Sequence, residues 1–311
     1  MTHKPTANRS DSRFTRRDFI GLGIGAAAMT LTPSLLFGDE EDKKNVWVFH
    51  GKDKKKLIAA CLKIISENGG FGKNAKKLAL KVNAAWSRTP EQGANTHPEL
   101  VDAFLGGVKE FGISDVILPE NPCNRGAEAF KRSGIIAVVE KHQFKMIDLQ
   151  AQKGHYTKTA IPKGKKLVEA MVAKDFLETD VVINMPVAKH HGGTMLSIAM
   201  KNWMGAVEDR GFWHKNTIHQ CIADFATLLQ PRWTIVDATR IMIDHGPQGP
   251  TKNMKYPDIV ILSKDQVAAD AYASTLFLDK PSKVEYIRIA GEMKIGENDI
   301  ARMNIIKKDV E

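Results

Sequence analysis

One repeated order constrains this chain more than any other feature: a short apolar run rich in β-branched residues, then a stretch with helical periodicity. Residues 45–49, 78–83, 114–118, 145–149, 180–184, 233–237 and 258–262 read as strands. Most are apolar almost throughout instead of alternating, as strands covered on both faces must be. Asp53 caps an intervening helix that carries Leu57, Ile58, Cys61, Ile64 and Ile65 and stops at Gly69-Gly70. His97-Pro98 opens another, with Leu100, Val101, Phe104 and Val108 on one face and Gly112 at its end. Helices are also expected at 125–132, from 196 to 203, at 216–229 and at 267–277. This order dictates an α/β fold, a mainly parallel sheet with helices on both faces. Residues 156–161 and 166–172 break the order and read as a small β insertion lying over the sheet. Neither charge nor Pro/Gly content shifts enough to mark a boundary, so 39–311 reads as a single α/β domain.

The amino terminus has a different grammar. Phe14-Thr15-Arg16-Arg17-Asp18-Phe19-Ile20 sets adjacent arginines before a mildly apolar stretch, 20–37, rich in Gly and Ala and broken by Pro33. That is the layout of a twin-arginine export signal over 1–38, with the twin-arginine translocase as partner and the periplasm as destination. An uncleaved anchor is the alternative, and the glycines and Pro33 weigh against it. Nothing after Phe37 is apolar over a bilayer-spanning length, so no stable membrane span is expected in the mature chain.

Charge and cysteine usage exclude several functions. Of the formal +9, the first 38 residues hold five Lys/Arg and two Asp/Glu, which leaves +6 for the remainder. The lysines are scattered and aromatic residues make up only 7%, whereas a nucleic-acid surface needs a clustered basic stripe with stacking rings; no nucleic-acid partner is expected. A generally basic surface instead favours small anions. Cys61, Cys123 and Cys221 are far apart and form no C-x-x-C, so neither an iron–sulfur cluster nor a structural zinc is expected.

Polar residues gather where the expected strands end, which in a parallel sheet is one edge. Lys81 and Asn83 close the second strand, and Glu120 follows the third. Asn184, Lys189, His190, His191 and Thr194 follow the strand at 180–184, with Lys201 and Asn202 on the helix beyond; Asp237 closes another strand. Lysines suit carboxylate or phosphate groups, and Gly192-Gly193-Thr194 ahead of a helix could offer backbone N–H groups to an anion. The expected ligand contacts are Lys81, Asn83, Glu120, Asn184, Lys189, Thr194, Asn202 and Asp237. The catalytic candidates are His190, His191 and Lys201: an imidazole titrates near neutrality, and a lysine can stabilise an enolate-like charge. Adjacent histidines point in different directions, so no metal ligand set is assigned. Asn184-Met185-Pro186 equally reads as a plain strand stop, and Lys201 and Asn202 as exposed helix positions.

The central block resembles the family of domain of unknown function 362. Its Asn-x-Pro, Lys-x-His, Thr and Lys-Asn-x-x-Gly pattern is matched by Asn184, Pro186, Lys189, His191, Thr194, Lys201, Asn202 and Gly205. Lys81 and Asn83, Thr96-His97-Pro98-Glu99, Asp237, Gly246-Pro247 and Ala268-Ala269-Asp270 follow in the family's order. Many members carry an added ferredoxin-like cysteine segment; this chain lacks it, so the resemblance implies no cluster here. The His–Gly–Lys spacing is also loosely similar to a loop of lactate-racemase-like enzymes, which act on a 2-hydroxy acid with a nickel-bearing nucleotide. Two functions stay open. One is an exported enzyme (isomerase, hydrolase or redox accessory) acting on a small anionic metabolite at the strand tips. The other is a non-catalytic periplasmic protein that binds a ligand or handles a cofactor.

Overall fold

The structure, a computed structural model, describes residues 45–310; the export signal expected at 1–38 lies outside the described residues. The chain opens with β1 (Asn45–His50), α1 (Lys54–Glu67), β2 (Lys77–Val82), α2 (Pro98–Gly107), β3 (Asp115–Glu120), α3 (Gly126–Arg132), α4 (Ile135–Lys141) and β4 (Lys145–Asp148). Then come β5 (Tyr156–Ala160), β6 (Glu169–Ala173), α5 (Lys174–Leu177), β7 (Val181–Met185), β8 (Val187–His191), β9 (Met195–Ser197), α6 (Ala199–Asn202), α7 (Arg210–Lys215) and α8 (Ile218–Ala226). It closes with β10 (Trp233–Met242), β11 (Met254–Lys255), β12 (Ile259–Ser263), α9 (Gln266–Ser274), α10 (Glu285–Glu292) and β13 (Asn304–Asp309).

The main sheet runs β13-β1-β12-β10-β7-β2-β3-β4. Every strand on this path points the same way except β12, which is antiparallel to both β1 and β10. Successive side chains of one strand enter opposite cores. Val46 and Val48 pack with Val182, Val236 and Ile261 beneath α8, α9 and α10. Trp47 and Phe49 pack with Leu78, Leu80 and Leu118 beneath α1 to α4. Each such side chain contributes roughly 1.5–3 kcal/mol through burial, so the strands hold a fixed edge on which a site can be built. Asp53 caps α1 as expected, accepting from the N–H groups of Lys55 and Lys56 at 2.8 and 3.1 Å. The β insertion is an antiparallel pair, β5 with β6, outside the main sheet. No helix among the described residues is long and apolar enough to cross a membrane.

Three departures from the sequence expectations matter for the site. The segment after β7 is a hairpin, β8 with β9, and the only helix between 196 and 203 is the single turn α6. Pro186 ends the β7 ladder, but its carbonyl accepts from Asp237 N at 2.8 Å and draws the chain back into the sheet beside β10. Gly192, Gly193 and Thr194 therefore form a hairpin tip and do not open a helix, which removes the anion cradle expected there. The strand that starts at Trp233 continues to Met242, which puts Asp237 mid-strand. Elements α4, α7, α10 and β13, and the reversal of β12, were not anticipated by the pattern.

Candidate functional site

The tips of β2 and β3, the β8–β9 hairpin and the turn after α6 surround a cavity of about 420 Å³. Its lining includes Asn83, Glu120, Lys189, His191, Lys201 and Asn202, drawn from separate segments of the sequence. Lys81 and Asn184 sit just behind this wall. Lys81 Nζ donates to Glu120 Oε2 at 2.9 Å and to Val82 O at 2.6 Å, and Ala84 N donates to the same carboxylate oxygen at 2.9 Å. Asn202 is the hub: its amide donates to Asn184 Oδ1 at 2.9 Å and to Lys81 O at 3.1 Å, while its carbonyl accepts from Asn83 Nδ2 at 3.1 Å. Asn184 in turn donates to Ala199 O at 2.9 Å, so one asparagine pair ties α6 to β7 and β2.

Local structure aims these groups. Asp270 on α9 accepts from Ala199 N and Met200 N at 2.6 and 3.0 Å, holding the first turn of α6 so that Lys201 and Asn202 face inward. Both are buried, contrary to an exposed reading of this turn. Burial pushes the Asp270 carboxyl up to about 8, against these two donors, which favour the ionised form. Three residues beyond Asn202, Gly205 explains the end of the motif. A Cβ there would lie 1.8 Å from Glu120 Oε1 and 2.8 Å from Lys81 Nζ, so only glycine lets this turn rest on the ion pair.

The electrostatics are lopsided. Lys189, Lys201 and Arg210 line the cavity, and Glu120, its one lining carboxylate among the described residues, is already engaged by Lys81. Lys189 Nζ donates to Asn83 Oδ1 at 3.2 Å and to Ala94 O, both neutral acceptors. Among the described residues Lys201 Nζ reaches only Met204 Sδ, at 3.3 Å. Arg210 is clamped by Asn121 O at 2.9 Å and Pro122 O at 2.8 Å and touches Cys123 Sγ at 3.2 Å. Desolvation, with Lys201 adding to it, pulls Lys189 down to about 7; desolvation and then Arg210 pull Lys201 down to about 8. Desolvation also opposes both charges of the buried pair, lowering Lys81 and raising Glu120.

The histidines fare differently from expectation. His191 lines the cavity, but desolvation followed by Lys201 and Lys189 lowers it to about 3, so it stays neutral across the physiological range. Its Nδ1 accepts from Gly193 N at 3.1 Å, which assigns the proton to Nε2. Burial instead brings Lys189 and Lys201 down toward neutrality. His190 alternates to the other side of β8, outside the cavity lining, and accepts from Gly246 N at 3.0 Å. Thr194 closes the hairpin tip, donating to Leu196 O at 3.0 Å.

Asp237, expected at a strand tip, is absent from the cavity wall because β10 runs past it. Its carboxylate accepts from Arg240 at 2.7 Å, His97 N at 2.9 Å, and Thr239 Oγ1 and N at 2.7 and 3.0 Å. Arg240 also donates to Pro90 O at 2.7 Å and Asn95 O at 3.0 Å, so this cluster pins the loop between β2 and α2. Residues missed from sequence are Arg210, His214, Trp86 and Cys123, all lining the cavity. Arg210 and His214 lie on α7, whose six residues are too short to show a helical period. Among the described residues no group of three or more His, Cys, Asp or Glu is placed to hold a metal ion.

Fold and site together define an α/β protein with a cationic cavity at the tips of its parallel strands. The chain belongs to the family described as Domain of unknown function (DUF362), which it matches over residues 78–275, a span that includes every site candidate named above. A thylakoid-associated protein of Synechocystis sp. is 21% identical over 258 residues, 79% of this chain and 77% of that relative. Among solved structures, the lactate racemase apoprotein from Thermoanaerobacterium thermosaccharolyticum aligns at 12% identity with a TM-score of 0.44, covering 74% of this chain and 56% of that one. A Thermotoga maritima protein aligns at 11% identity with a TM-score of 0.46, covering 78% of this chain and 60% of that one.

Proposed function

We propose that the protein binds a small anion, a carboxylate- or phosphate-bearing metabolite, in the strand-tip cavity. One observation carries this reading: buried Lys189 and Lys201 and half-buried Arg210 line one cavity, and none forms an ion pair among the described residues. A buried cation without a counter-charge is costly, and an incoming anion relieves that cost. A cavity of about 420 Å³ stands at the small end of ligand pockets, which fits a metabolite of modest size. The test is calorimetry with oxalate, pyruvate and phosphate. An arriving anion raises the pKa of Lys201 from about 8 and of Lys189 from about 7, so binding at pH 8 takes up protons. The measured heat should therefore depend on the buffer's ionisation enthalpy. Binding with no proton uptake, or no binding of any of these anions, sinks the proposal.

Turnover of the bound anion is the second reading. It is favoured by the same two lysines, because an amine titrating between about 7 and 8 gives and takes protons at neutral pH. Export by the twin-arginine pathway to the periplasm belongs to the proposal as well, and rests on Arg16-Arg17 and the apolar stretch behind them. Replacing both arginines by lysine should retain the protein in the cytoplasm, as read by cell fractionation; unchanged export would remove this part.

A further inference from the structure

Lys201 is held differently from the other lysines of the site. Lys81 Nζ donates to Val82 O, Glu120 and Asn202, and Lys189 Nζ is tied to Asn83 and Ala94 O. Among the described residues Lys201 Nζ has only the thioether of Met204, a weak acceptor, although its residue is just 7% exposed. An amine in a desolvated pocket beside fixed cations keeps a usable fraction of its free, nucleophilic form. Arg210 lines the same cavity as a permanent cation, fixed by two backbone carbonyls and free of any carboxylate partner among the described residues. The cavity thus offers a nucleophile and an anion anchor side by side.

We propose that Lys201 forms an imine with the carbonyl carbon of a small 2-oxo acid whose carboxylate is held by Arg210. The inference rests on the anion-binding reading of the cavity and names its substrate class. The free amine of Lys201 adds to the carbonyl carbon. Its two N–H protons pass to the carbonyl oxygen, which leaves as water, and a C=N bond replaces C=O. Uptake of one further proton gives the iminium, and Lys189, titrating near 7 in the same cavity, is placed to supply it. The iminium is an electron sink for the adjacent carbon, and no other reactant is needed to form it.

The experiment incubates the full chain with pyruvate or glyoxylate and sodium cyanoborohydride, then maps the reduced adduct by peptide mass spectrometry. A single adduct on the peptide containing Lys201 is expected. At pH 7 it should form roughly two hundredfold faster than on a surface lysine, because an amine titrating near 8 is about a tenth unprotonated and one near 10.4 only about 0.04%. The rate should level off just above pH 8, and Lys201→Arg should abolish it. No adduct, or one spread evenly over surface lysines of the wild-type chain, overturns the imine whether or not the variant folds. Saturable pyruvate binding without a trapped adduct overturns it too, while leaving the anion reading intact. Equal labelling by uncharged hydroxyacetone overturns the 2-oxo acid class.

Discussion

Two buried clusters in this molecule use the same kinds of residue and treat them in opposite ways. Around Asp237 and Arg240, the carboxylate accepts from four donors, and the guanidinium meets a charge and two carbonyls. Around Lys189, Lys201 and Arg210, the cations' own hydrogen bonds among the described residues go to neutral acceptors, and the cavity's carboxylate, Glu120, is engaged by Lys81. The first cluster is complete, and its work is to pin the loop between β2 and α2. The second, on the proposed reading, is completed by an arriving anion. Burial of a polar residue therefore says little about function; what matters is whether its charge is already answered.

The largest effect should come from breaking the complete cluster. Asp237→Ala leaves Arg240 buried without a counter-charge and should cost about 3–5 kcal/mol in urea unfolding. An unchanged midpoint would mean that Arg240 escapes to water and the contrast fails. Gly205→Ala comes next. Its methyl would collide with Glu120, a destabilisation of about 1–3 kcal/mol. If the variant is neutral, the turn after α6 is looser than described.

Lys201→Met should do the reverse, raising stability by about 1–2 kcal/mol at pH 7 while weakening anion binding at least about tenfold. The sign with pH follows from its lowered pKa. Below about 8 the folded chain must bury a charged Lys201, whereas the unfolded chain holds its proton up to the ordinary lysine range near 10.5. Wild-type stability from this group is thus complete only above that range and is lost as pH falls through about 8. The advantage of Lys201→Met should shrink between pH 7 and pH 9 in paired denaturation curves; a constant difference would refute it. The smallest effect belongs to His190→Ala, which removes one hydrogen bond to Gly246 N, about 0.5–1.5 kcal/mol, and should leave anion affinity unchanged.

Much of the fold could be read from the chain because apolar runs and caps are local signals. Asp53, His97 and the strands at 78–83 and 180–184 announce themselves within a few residues of their own positions. The gathering of Lys81, Asn83, Glu120, Asn184, Lys189, His191, Lys201 and Asn202 followed from parallel strands sharing one edge. Arg210 and His214 escaped notice because a six-residue helix leaves no period to detect. Asp237 misled because strand length is set by a neighbour: β8 and β11 extend β10 to Met242, and no local residue says so.

The sequence by itself determined the strand–helix alternation, the class of sheet and the residue types crowding its tips, since each depends on spacing along the backbone. Tertiary structure alone decided which of those residues confront one another across the cavity and which charges already have partners. Pairing is a property of space, fixed by register and by turns whose causes lie a hundred residues away. That is how Asp237 became a brace, and how Lys201 came to be a buried amine hydrogen-bonded to a thioether.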